Sequence, residues 1–114
     1  MFFSIVPPDI VLLRQGRQEH EDIVTMEEGD SVNLICKIIE GSPGTQLSWY
    51  KSNILLPYEV KTTLILANVT DRDEGRYTCK AQNAGGNLTE STNITVKSKF
   101  ITIIMEMDIP TIKN

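Results

Sequence analysis

At 114 residues, with 40% apolar and 23% charged side chains, the chain is long enough for one domain with its own core. A formal net charge of −4 argues against a nucleic-acid partner, since gripping a phosphate backbone needs a clustered basic face. Two cysteines and a single histidine, His20, are too few for a structural zinc site; the cysteines form either a disulfide of an oxidising compartment or two buried thiols.

Taken in chain order, the opening MFFSIV is apolar but has no basic flank, and Pro7 and Pro8 end it too early for a secretory leader. Extended segments are predicted at Asp9 to Leu13, Asp22 to Met26, Ser31 to Ile39, Thr45 to Lys51, Thr62 to Ala67, Gly75 to Gln82 and Asn87 to Lys97. Each is rich in Val, Ile, Leu or Thr. EEGD, EGSPG, TDRDE and NAGG separate several of them, supplying the Gly, Pro, Asn and Asp that turns require. No window keeps a 3.6-residue period for three turns, so the expected fold is all-β. Glu19 to Asp22 and Glu27 to Asp30 are read as solvated turns.

Alternation then assigns faces. Val32, Leu34, Cys36 and Ile38 share one side, as do Leu47 with Trp49, Leu64 with Leu66, Tyr77 with Cys79 and Ala81, and Thr92 with Ile94 and Val96. Both cysteines fall on inward positions, along with the single tryptophan, a pattern that predicts a disulfide within the core. Residues 98–114, SKFITIIMEMDIPTIKN, follow the last strand. The run Ile101 to Met105 is cut short by Glu106, far below the length that spans a bilayer, and no direct membrane insertion is expected. Phe100, Ile101 and Ile103 make this segment strand-like and apolar, so it is expected to order only by pairing, within the chain or in a weak homodimer.

Four motifs occur in one order. They are G-x-x-V-x-L-x-C from Gly29 to Cys36, W-Y-K from Trp49 to Lys51, L-x-L-x-N-V-T-x-x-D-x-G-x-Y-x-C from Leu64 to Cys79, and C-x-A-x-N-x-x-G from Cys79 to Gly86. In this the chain resembles an immunoglobulin domain of the I-set or C2-like kind, over about Pro7 to Lys97. The resemblance implies a Greek-key sandwich of two antiparallel sheets, with Trp49 packed on a Cys36–Cys79 bridge. It also implies a corner at which the Tyr77 hydroxyl bonds backbone near Asp73, Gly75 permitting the crossover. Only fourteen residues separate Trp49 from Leu64, which leaves a short C′/D region and no C″ strand. The domain is placed at 1–97, and 98–114 is an extension or linker.

Asn68-Val69-Thr70, Asn87-Leu88-Thr89 and Asn93-Ile94-Thr95 are N-x-T glycosylation sequons, where about one is expected from seven Asn and eighteen Ser plus Thr. They favour a secreted or cell-surface origin. The resemblance implies a non-catalytic protein-recognition module of an adhesion molecule or receptor, with a protein partner and no cofactor. The alternative it leaves is an intracellular module of a muscle or cytoskeletal filament. His20 has no evident nucleophile partner, and NAGG fits a hairpin turn better than a phosphate loop. Two outward surfaces are candidate contacts. Tyr50 stands on the sheet of strands C, F and G, and Ile35, Ile39 and Ile65, with Ala67, stand on the opposite sheet.

Overall fold

A computed structural model of the chain describes residues 5–14, 17–18, 23–57 and 62–98. Among these described residues, nine strands form two sheets. The first sheet has the order β2-β1-β4-β7, built from β1 (Asp9–Arg14), β2 (Arg17–Gln18), β4 (Val32–Glu40) and β7 (Thr63–Leu66). The second has the order β3-β9-β8-β5-β6, from β3 (Ile23–Glu27), β5 (Gln46–Lys51), β6 (Ile54–Leu55), β8 (Gly75–Asn83) and β9 (Gly86–Lys97). Each of the seven extended segments expected from the sequence is a strand. Strands β4, β5, β7, β8 and β9 take the places of B, C, E, F and G in the sandwich.

Period-two burial explains why these segments pair as they do. Strand β3 reads exposed, buried, exposed, buried, exposed, and β4 opens in the opposite phase, with Val32, Leu34 and Cys36 buried and Asn33 and Ile35 more exposed between them. Val24, Met26, Leu34, Trp49, Leu64, Tyr77, Ala81, Ile94 and Val96 meet between the sheets, with Leu12, Leu47, Leu56, Leu66 and Leu88 closing the rim. Burying side chains of this size contributes about 1.5–3 kcal/mol each, the main favourable term in a sandwich of short strands.

Three elements escaped the alternation reading. Strands β2 and β6 hold two residues each, too few to show a period. Residues Asp71–Asp73 form one 3₁₀ turn inside what reads as a charged loop. The β5–β6 hairpin turns through Ser52 and Asn53, both at positive φ, +50° and +67°, as a two-residue turn matched to strand twist requires. The short C′ region is thus a real strand of minimal length. At the other end NAGG is a tight hairpin, with Asn83 opposite Gly86.

Strand β3 pairs in parallel with β9, from Ile23 opposite Asn93 to Glu27 opposite Lys97. The family resemblance implies two antiparallel sheets, and this one pair departs from that; direction of pairing leaves no mark on an alternation pattern. The Glu27–Asp30 turn is mostly exposed; the Asp30 amide donates to the Glu27 carbonyl (3.0 Å) and the Asp30 carboxylate accepts from the Glu27 amide (3.1 Å).

One inward assignment is corrected. Ile38 was placed in the core, yet it is 37% exposed, and its neighbour Ile39 is 56% exposed. The pairing of β1 with β4 shifts register here: Ile10 faces Ile38 while Asp9 faces Glu40, leaving Ile39 as an extra residue. A bulge of this kind locally increases twist and turns the strand end away from the core. Alternation cannot anticipate it.

Candidate recognition module: core lock, corner and outer faces

The lock at the centre is covalent. Cys36 on β4 and Cys79 on β8 are both fully buried and bonded at 2.02 Å, linking the two sheets. Trp49 on β5 lies directly opposite Cys79 in the register and is 2% exposed, so the indole stands beside the bridge. Its Nε1–H has no hydrogen-bond acceptor among the described residues.

The corner before β8 is a local network. Thr70 caps the 3₁₀ turn, its hydroxyl accepting from the Arg72 amide at 3.3 Å, and the Asp73 carboxylate accepts from the Thr70 amide at 2.8 Å. The buried Tyr77 donates its hydroxyl to the Asp73 carbonyl at 2.7 Å. Lys51 reaches over the Tyr77 ring, 5.8 Å from its centre, and donates to the Arg72 carbonyl. Glu74 turns the other way and accepts from the Val96 amide of β9 at 2.7 Å. Gly75 has φ +153°, and a Cβ there would come within 2.9 Å of the Ser52 hydroxyl and 3.3 Å of the Lys51 stem. Backbone and space both demand glycine. Of the charges in DRDE, the Asp73 and Glu74 carboxylates thus each hold a backbone amide of the corner or of β9.

Tyr77→Phe is expected to destabilise the domain by about 1–2 kcal/mol, because the half-buried Asp73 carbonyl loses its donor while the ring still fills its place. Urea denaturation checks this; an unchanged midpoint would mean that the hydroxyl does not hold the corner.

At the opposite end Asn83 organises three segments, a role the sequence reading did not give it. Its amide nitrogen donates to the Val6 carbonyl (2.8 Å) and the Thr45 hydroxyl (3.1 Å), and its carbonyl oxygen accepts from the Gly85 amide (2.7 Å). The motif C-x-A-x-N-x-x-G held the signal. A side chain able to donate and accept, at the mouth of a two-residue turn, suits tying loops together.

The outer faces carry the remaining candidates. Asn68 is exposed in the turn after β7 at φ +49°, a conformation asparagine tolerates. Asn87 and Asn93 are exposed on β9, on the outward side of the second sheet. Tyr50, half-buried, lies on that same side opposite Thr78 and Leu55.

On the first sheet, Ile65 is 64% exposed and Ile35 half-buried. Ile35 faces Leu13 of β1 on one side and Thr63 on the other, with Ile65 diagonal to it. The apolar patch is therefore Leu13, Ile35 and Ile65. Ile39, 56% exposed at the bulge, stands four residues further along β4 beyond Lys37, and Ala67, also exposed, follows Ile65. Phe100, Ile101 and Ile103, and also His20, lie outside the described residues.

Among the described residues no group of three or more His, Cys, Asp or Glu side chains is placed to hold a metal ion. No helix of the described residues is long and apolar enough to cross a membrane. Two packed sheets, an intersheet disulfide beside a buried indole, and a tyrosine corner together define an immunoglobulin-like sandwich.

Comparison with known proteins agrees. The family profile described as "Immunoglobulin domain" matches residues 7–83. Relatives include leucine-rich repeat and immunoglobulin-like domain-containing nogo receptor-interacting protein 3 of Mus musculus, 34% identical over 97 residues, covering 75% of this chain and 15% of that protein. Neuronal cell adhesion molecule of Mus musculus is 31% identical over 97 residues, covering 80% of this chain and 7% of that protein. Among solved structures, the I67–I69 fragment from the I-band of titin superposes with a TM-score of 0.61 at 30% identity, over 68% of this chain and 30% of that one. The chain belongs to the immunoglobulin domain family. It spans only a small share, 4% to 15%, of the first curated relatives it matches.

Proposed function

We propose that this chain is a non-catalytic recognition module of a cell-surface or secreted protein, binding a protein partner through an outer sheet face. The observation that carries the reading is the fully buried Cys36–Cys79 bridge, a bond that persists in oxidising compartments and is rare in the cytosol. The exposed positions of Asn68, Asn87 and Asn93 support it, as glycosylation requires accessible asparagines. So do relatives named for adhesion and for a receptor. The parallel β3–β9 pair favours the I-set form of the fold.

In this reading the module ends near Lys97, and 98–114 is an extension that orders by pairing. Truncation after Lys97 should lower the melting temperature or the number of chains per particle in solution; if both stay unchanged, the extension has no such role. The second reading, a spacer in an intracellular filament, is favoured by the likeness to the titin fragment.

Labelling intact source cells with a membrane-impermeant reagent separates the two. Capture of the parent protein from unbroken cells, with a mass that falls on N-glycosidase treatment, is expected. Labelling only after lysis, with no change in mass, would overturn the first reading in favour of the filament spacer.

A further inference from the structure

The outward positions of β5, β8 and β9 alternate away from Trp49, Cys79 and Ile94, and they carry no carboxylate although the chain has fifteen acidic residues. Three cations stand there: Arg76, Lys80 and Lys97. Lys97 lies opposite Glu27 of β3, which offsets its charge. Arg76 has Asn93 as its cross-strand neighbour, and Lys80 has Ser48 and Thr89. Between these two cations on β8 lies Thr78, opposite Tyr50, its hydroxyl 2.8 Å from that of Ser91. Tyr50 is therefore diagonal to both Arg76 and Lys80. The two cations stand four positions apart along β8, a span of about 13 Å.

We infer that this face receives an acidic, extended segment of the partner protein; the inference rests on the recognition-module reading above and supplies the partner's chemistry. An extended chain repeats its side-chain direction every second residue, so carboxylates four residues apart match the Arg76–Lys80 spacing. The side chain midway between them lands on Tyr50 and is apolar, since the ring offers contact area at low entropic cost. The Thr78, Ser91 and Ser48 hydroxyls suit the polar remainder. Two cations about 13 Å apart around an aromatic ring are too sparse for a sulfated polysaccharide, whose charges call for clustered lysine and arginine. A glycan on Asn93, beside Arg76, would cover one end of the face and gate access to it.

The test is a titration of the isotopically labelled, disulfide-bonded and unglycosylated chain, followed by backbone amide shifts at low salt. The probe is a seven-residue peptide with glutamates at its second and sixth positions and valine at its fourth. Saturating shifts are expected at 48–50 and 76–80. Replacing both glutamates by glutamine, or making Arg76→Gln with Lys80→Gln at an unchanged melting temperature, should weaken binding roughly tenfold.

Equal binding of the glutamine peptide, no saturable shift, or tighter binding of a heparin oligosaccharide at the same amides would each overturn the proposal. Shifts confined to Leu13, Ile35 and Ile65 would overturn it too, while leaving the recognition-module reading in place. Conversely, an intracellular location of the parent protein would sink that reading without touching the peptide result.

Discussion

Replacing Cys36 and Cys79 together by alanine is expected to remove about 4 kcal/mol of stability. The bridge joins residues 43 apart in sequence, and closing a loop of that length restricts the unfolded chain far more than the folded one. A domain of this size has a total stability of roughly 5–15 kcal/mol, so the variant would stand close to its unfolding threshold at body temperature. In urea the midpoint should fall by about 3 M. The slope should rise, because an unbridged denatured chain is more expanded and exposes more surface. A fall of under 1 M with an unchanged slope would show that β-sheet packing alone holds the sandwich closed.

Trp49→Ala should cost about 3–5 kcal/mol, from lost transfer free energy and from the cavity left beside the bridge. The surroundings cannot collapse easily, since one wall of that cavity is the disulfide and another is the β5–β8 ladder. Trp49→Phe should cost much less, about 1–2 kcal/mol: it leaves a smaller void and removes a buried N–H that has no acceptor among the described residues. Because Trp49 is the single tryptophan, both variants need to be followed by circular dichroism rather than by fluorescence. If phenylalanine proved as damaging as alanine, the indole nitrogen would have to be making a contact that stabilises the core.

The two-layer architecture was legible because it is written in residues with one structural use. Val32, Leu34 and Cys36 alternate cleanly, and Trp49, Tyr77 and Cys79 sit at spacings that few other folds require. Features that depend on pairing direction or on one added residue were not legible. The parallel β3–β9 pair and the bulge at Ile39 leave the alternation of neighbouring residues nearly intact, yet Ile38 beside the bulge is 37% exposed.

Asn83 was quoted as part of a motif but not understood. Its three hydrogen bonds reach Val6, Thr45 and Gly85, and the first two partners are far off in sequence. The outer-face chemistry was partly visible. Each residue around Tyr50 could be read as exposed, but the row that sets Tyr50 between Arg76 and Lys80 needed the strand register.

Compartment and role both turn on the state of two sulfur atoms, and counting their free thiols is the most direct measurement. Protein from its native source, denatured and treated with an alkylating reagent before any reductant, should take up no label at Cys36 or Cys79. After reduction it should take up two. Two labels before reduction would mean that the sheets are not bridged in the living source, and would point to an intracellular spacer instead of a cell-surface recognition module.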